Sequence, residues 1–149
     1  MADAQALAAL LVAGNLRLEP FAEAHREPLR AACAEDGDIW EIYPHSMLGE
    51  HFDPAIAGRL ATPGAVFAVV VAGEVAGITS YLRPDAAQGT VEIGGTYIAP
   101  RFRGGAVNSA MKRLMIDHAF ACGFRRIELR VDERNLRSQA AVLKLGAQQ

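Results

Sequence analysis

From Thr90 onward the chain spells a strand, a glycine-rich turn, a long helix and another strand, an order that calls for a layered α/β structure. The run "TVEIGGTYI" (90–98) is β-rich, and its paired glycines, Gly94 and Gly95, suggest a bulge or a close backbone approach. The turn "RFRGGAV" follows. Beyond it, in "VNSAMKRLMIDHAFACG", Val107, Ala110, Met111, Leu114, His118 and Ala121 recur at helical spacing, and Gly123 caps the end. "RRIELRV" then alternates as a strand, and "NLRSQAAVLKLG" reads as a helix with Asn135 at its start and Gly146 at its end.

The preceding residues fill in the rest of the sheet. "NLRLEP" predicts a strand stopped by Pro20, and "AEAHREPLRAACAED" places Leu29, Ala32 and Cys33 on one helical face. An irregular segment from Gly37 to Gly64 holds a short helix, Pro54 to Leu60. "AVFAVVV" and "VAGITSYL" form a hairpin around "AGE", and "RPDAAQG" reads as the next turn. Residues 1–14 are alanine-rich and predict an arm: a helical turn, a frayed end or a cloning remnant. Residues 15–149 are expected to form one domain, since 149 residues suit a single core.

Charges are mixed, with 15 basic and 17 acidic side chains and a formal balance of −2, which argues against disorder and against a nucleic-acid-binding footprint. "ALAALLVAG" has no basic leader and is too short to span a bilayer, so neither export nor a membrane partner is expected. Cys33 and Cys122 stand far apart without C-x-x-C spacing, which predicts reduced thiols and a cytoplasmic location. A site built from Cys33, His45 and His51 matches no zinc spacing, so no metal is expected. His118 is expected to be a half-buried surface residue.

A glycine turn between a strand and a helix can hold an anion. N–H groups of the turn and first helical turn lack internal partners, the helix dipole adds positive potential, and glycine lets phosphate oxygens approach the main chain. The lysine and hydroxyl of a nucleoside-triphosphatase loop are missing, as is the G-x-G-x-x-G spacing of dinucleotide folds. The turn by itself is also compatible with a plain loop.

The segment "VEIGGTYIAPRFRGGAVNSAMKRLMIDHAFACGFRRIELRVDERNLRSQAAVLKLGA" resembles the GNAT N-acetyltransferase superfamily, in particular the RimJ/RimL-like branch that acetylates ribosomal-protein N-termini. The resemblance covers about residues 15 to 147 in element order and is specific from Val91 to Ala147. That branch's R-G-x-G-x-N turn after an aromatic is met by Phe102 to Asn108, with Ala106 where the family usually has glycine. Arg101, Gly104 and Ala106 also satisfy the looser R/Q-x-x-G-x-G/A pattern.

The resemblance implies a GNAT fold, a mixed and mostly antiparallel central sheet flanked by helices. It implies that main-chain amides of Arg103, Gly104, Gly105, Ala106, Val107 and Asn108 hold the pyrophosphate of acetyl-CoA, and that the pantetheine arm pairs with the backbone of Tyr97 and Ile98. Glu92 would be the general base, because a protonated amine has no lone pair with which to attack. Alternation along the strand puts Glu92, Gly94 and Thr96 on one face. Asn135 would hydrogen-bond the pantetheine, although it is also a good N-cap, and Ser138 would protonate the departing thiolate. Trp40, Glu41, Tyr43, His45 and His51 would border the acceptor pocket or pack beneath a loop. The run Arg125, Arg126, Arg130, Arg134 and Arg137 could meet the 3′-phosphate of CoA or an acidic partner, or face solvent.

Family members usually continue past "LGAQQ" with a strand pair that covers the "RRIELRV" edge. Its absence here predicts a shortened chain or a homodimer in which the partner covers that edge. The expected activity is transfer of acetyl from acetyl-CoA to a primary amine, on a protein N-terminus or a small molecule, by direct attack in a ternary complex. The alternatives are a non-catalytic acyl-CoA-binding or regulatory module of the same fold and a pure interaction domain.

Overall fold

In the computed structural model, which describes residues 1–43 and 46–129, six strands form one sheet in sequence order. They are β1 (Leu11–Ala13), β2 (Leu16–Pro20), β3 (Gly64–Val71), β4 (Glu74–Asp85), β5 (Thr90–Ile98) and β6 (Arg126–Leu129). All neighbours are antiparallel except β5 and β6, which are parallel and joined by α3 (Val107–Ala121). That connection is required, because parallel neighbours need a crossover and a helix of this length supplies one. Two further helices, α1 (Arg26–Cys33) and α2 (Phe52–Ala61), lie between β2 and β3 in the chain.

Each sheet face carries its own core. On the α3 side, Leu18, Phe67, Val69, Tyr81, Val91 and Ile93 pack with Met111, Met115 and Ala119. On the other side, Leu29, Cys33, Trp40, Phe52 and Ile56 pack with Ile78 and Tyr97. The expected helical spacing in α3 is present, but the fully covered stripe is Met111, Lys112, Met115 and Ala119, while Ala110, Leu114 and His118 are only half-buried.

The N-terminal segment contains a short helical turn, Gln5–Leu7, one of the forms expected of it, and then adds β1 to the sheet. Leu11 to Ala13 pair with Leu18 to Leu16, and Leu7 is fully buried in the α3-side core. Its backbone is tied down at Ala2, which donates to the Ala86 carbonyl, and at Asp3, which donates to that of Cys122. The boundary at residue 14 therefore falls inside a two-residue hairpin turn, at Gly14 with φ +60°.

Two irregularities in β4 and β5 shape the site. Ser80 pairs with Gly94 and Ile78 with Tyr97, so Gly95 and Thr96 together oppose Thr79. This is a β-bulge, as the paired glycines suggested, with Gly95 at φ +60°. It also corrects the expected facing. Thr96 is thrown to the α3 side, where its Oγ1 meets Lys112 Nζ at 2.9 Å, while Glu92 and Gly94 stay on the α1/α2 side. At the other irregularity β4 runs on to Asp85, through residues expected in a turn, with Arg83 at φ +48°.

Candidate active site

The strand β5 pairs with β6 only from Thr90 to Ile93, opposite Arg126 to Leu129. Past the bulge, among the described residues, Tyr97 and Ile98 have a strand neighbour only on the β4 side, at Ile78 and Gly77. Along β5 the stretch from Glu92 through the bulge to Ile98 is a path of roughly 20 Å that leads to the turn before α3.

The turn at the end of this path is open. Gly104 has φ +78°, a conformation that favours glycine, and an added Cβ at either Gly104 or Gly105 would meet nothing within 4 Å. Ala106, the N-cap of α3, has φ −79° and ψ −7°, so alanine fits the backbone there without strain, and among the described residues no side chain caps the helix. The first N–H groups of this 15-residue helix are thus available to an anion. These features fit a pyrophosphate. The Arg103 amide donates to the Pro100 carbonyl at 3.1 Å and so is already engaged. The Arg103 side chain braces the turn: Nη1 donates to Asp36 at 2.6 Å, Nε donates to the Ile98 carbonyl at 2.6 Å, and the guanidinium lies over the Tyr97 ring.

Glu92 sits deep on β5 with only 7% of its side chain exposed, and its Oε2 accepts a hydrogen bond from Arg83 Nη1 at 2.8 Å. The left-handed backbone at Arg83 aims an otherwise exposed guanidinium at a covered carboxylate. One rung along, on the same face, lie Ser80 and Gly94, and an added Cβ at Gly94 would be 3.4 Å from Glu92 Oε2. The Leu82 side chain stands closer still, 3.1 Å from that Cβ position, so the carboxylate leans over Gly94 beside Leu82.

Among the aromatic candidates, Tyr43 reaches the site: its hydroxyl donates to the Thr96 carbonyl in the bulge at 2.8 Å. Trp40 does not line the surface. It is 6% exposed, its Nε1 donates to the Cys33 carbonyl, and it stacks on Tyr97 at 4.8 Å, so it supports the site from within the core. Tyr97 is anchored likewise, its hydroxyl donating to the Ala32 carbonyl at 2.7 Å. Glu41 and His51 are exposed. His45, Asn135, Ser138, Arg130, Arg134 and Arg137 lie outside the described residues.

Arg125 and Arg126 are exposed, and Arg126 pairs with Thr90, at the far end of β5 from the glycine turn, roughly 25 Å along the strand. Cys33 is fully buried, and burial pushes its thiol pKa up to about 12, which suits packing and neither metal ligation nor nucleophilic attack. No cluster of three metal-ligating side chains occurs among the described residues. Nor is any described helix long and apolar enough to cross a membrane.

Two cations at the bulge went unnoticed in the sequence. Arg59 shares the Phe52–Ile56 stripe of α2, and Lys112 shares the Met115–Ala119 stripe of α3. The available signal in both cases was a charge at an apolar helical position.

The family profile described as the acetyltransferase (GNAT) domain matches residues 15–148. The chain belongs to the GNAT acetyltransferase family. Members of this family use acetyl-CoA as co-substrate and transfer its acetyl group to an amine. Similar solved structures include a probable GNAT acetyltransferase from Chromobacterium violaceum, 27% identical with a TM-score of 0.86, the match covering 93% of this chain and 73% of that one. A GCN5-related N-acetyltransferase from Brucella melitensis is 26% identical, with a TM-score of 0.80 and coverage of 93% and 67%. The fold is shared also with Mycobacterium smegmatis RimJ in complex with CoA-disulfide, at 19% identity, a TM-score of 0.76 and coverage of 93% and 73%. A comparison with curated proteins finds no match.

Proposed function

We propose that this GNAT protein is an N-acetyltransferase that acetylates a primary amine by direct attack in a ternary complex, with Glu92 as general base. Bound acetyl-CoA supplies the activated acetyl group; the chain supplies position and proton transfer. The amides of Gly104 to Asn108 would hold the pyrophosphate at the head of α3, and the Tyr97 and Ile98 backbone would align the pantetheine. The backbone amide near Ile98 would polarise the thioester carbonyl, and Glu92 would accept the proton of the incoming ammonium. Asn135 would steady the pantetheine and Ser138 would return a proton to the thiolate. Kinship with the RimJ/RimL-like branch rests on the Phe102 to Asn108 motif.

The observation that carries this reading is a covered carboxylate on β5, leaning over Gly94, on the same strand that leads through the bulge to the open turn. Glu92→Gln tests it. Acetyl transfer to a panel of amines and free-N-terminus peptides is expected to fall by about 10²- to 10⁴-fold, while calorimetric acetyl-CoA affinity stays within about twofold. Unchanged turnover would falsify the assignment of the base.

A further inference from the structure

The arginine of α2 is out of keeping with the others. Arg17, Arg26, Arg30, Arg83, Arg101 and Arg103 each hold a carboxylate within ion-pair distance, whereas Arg113 and Arg125 are exposed to water. Arg59 is half-buried, and among the described residues no carboxylate pairs with it. Its Nη1 donates to the Gly95 carbonyl at 2.8 Å and to Ser80 Oγ at 3.3 Å. Among the described residues Nε and Nη2 have no protein acceptor. Burial lowers the guanidinium pKa from its ordinary value, a sign that the cation is poorly solvated.

The backbone is shaped around this side chain. Gly95 has no Cβ, and the guanidinium lies where one would be: an added Cβ would collide with Nη1 and stand 3.1 Å from Cζ and 3.2 Å from Nη2. Arg59 thus rests on the rung formed by Ser80 and Gly94, and Glu92 lies one rung further on the same face, paired with Leu82. Same-face rungs are separated by roughly 7 Å. The Tyr43 hydroxyl, bonded to the next carbonyl of the bulge, stands nearby.

We infer that Arg59 is the specificity-determining residue for an acceptor carrying a carboxylate close to its amine, as in a free amino acid. The inference rests on the acetyltransferase reading above and deepens it by naming the substrate class. Charge decides between acceptors. Glu92 leans over the Ser80–Gly94 rung on which Arg59 rests, so an ammonium beside Glu92 carries a carboxylate two bonds away toward the fork of Arg59. A peptide N-terminus has an uncharged carbonyl at that point and leaves the guanidinium without a counter-ion. A planar fork with two donors remaining matches a carboxylate in a bidentate way that lysine cannot reproduce.

Binding to the CoA-saturated protein separates this inference from catalysis. The probes are the protein amino acids as free acids, their carboxamides, and short peptides with free N-termini, titrated by calorimetry into wild type, Arg59→Met and Arg59→Lys. The lysine variant keeps a charge should the methionine variant not fold. At least one free acid is expected to bind about 10- to 100-fold more tightly than its carboxamide, with the ratio shrinking toward 1 in Arg59→Met and partly in Arg59→Lys. Equal affinity for acid and carboxamide in the wild type, a preference that survives both substitutions, or tighter binding of the peptides would overturn the inference. Turnover of the same probes is read in parallel. Arg59-dependent binding without acetylation would overturn the enzymatic reading and leave the carboxylate site standing.

Discussion

Lys112 is a cation held on the apolar side of a helix. Only 6% exposed, its sole hydrogen-bond acceptor among the described residues is Thr96 Oγ1, and that hydroxyl lies 2.9 Å from Thr79 Oγ1. Burial pulls its pKa down from 10.5 to about 8. Below pH 8 both folded and unfolded chains carry the proton, and the folded state bears the full cost of covering a charge. Between about pH 8 and 10.5 the unfolded chain holds more protons, so this group makes stability rise with pH, and above 10.5 the gain is complete. Lys112→Met is therefore expected to stabilise the protein by about 1–3 kcal/mol at pH 7, with the advantage shrinking as pH climbs past 8. Urea denaturation of both proteins at pH 7 and pH 10 checks this, and an advantage that grows with pH would refute it. Neither Lys112 nor Arg59 could be assigned a role from sequence, because a charge on an amphipathic helix reads as surface until the sheet beneath it is placed. The role expected of Glu92 came from the family resemblance, because its place beside a glycine pair on a strand is local information that fixes position and not chemistry.

At the scale of elements, β5 and α3 were readable for a physical reason: each repeats its apolar residues over enough length that only one periodicity fits. The bulge was readable from Gly94 and Gly95, but its consequence was not. One extra residue reverses the facing of everything after it, so Thr96, aligned with Glu92 by simple alternation, ends on the opposite face, beside Lys112. Gly95 is required twice, by φ +60° and by the guanidinium that occupies its Cβ position. Gly95→Ala should accordingly cost about 1–3 kcal/mol in stability, since an alanine there is strained and must also move Arg59. At the turn before α3, Gly104→Ala meets open space but the wrong backbone, φ +78°. The expected result is a loss of about 1 kcal/mol and a severalfold weaker affinity for acetyl-CoA in calorimetry, with Ala106→Gly affecting affinity less, because residue 106 already has ordinary helical φ.

Across the whole molecule, the two ends of α3 have separate duties. Its N-terminus meets the glycine turn; its C-terminus is bound by the first residues of the chain, where His118 Nε2 donates to the Ala6 carbonyl at 2.8 Å and Asp3 donates to that of Cys122 at 2.9 Å. The N-terminal segment escaped the sequence reading because β1 is three residues long and follows an alanine-rich stretch, too short for any periodicity to show. Its importance follows from Leu7, which is fully buried against the α3-side core, and from the cover β1 gives to the edge of β2. Leu7→Ala is expected to cost about 2–4 kcal/mol through the lost burial and the cavity left behind. Removing residues 1–13 should cost more, because Leu7 and Leu11 are both lost and β2 becomes an edge strand. The glycine turn proposed to hold the pyrophosphate lies at the opposite end of the helix, so the folded fraction of Leu7→Ala should still bind acetyl-CoA within about threefold of wild type. Urea denaturation monitored by Trp40 fluorescence, paired with acetyl-CoA calorimetry on the same samples, tests this division. A Leu7→Ala protein of unchanged stability, or one that stays folded yet loses acetyl-CoA affinity, would show that the two ends of α3 are not independent.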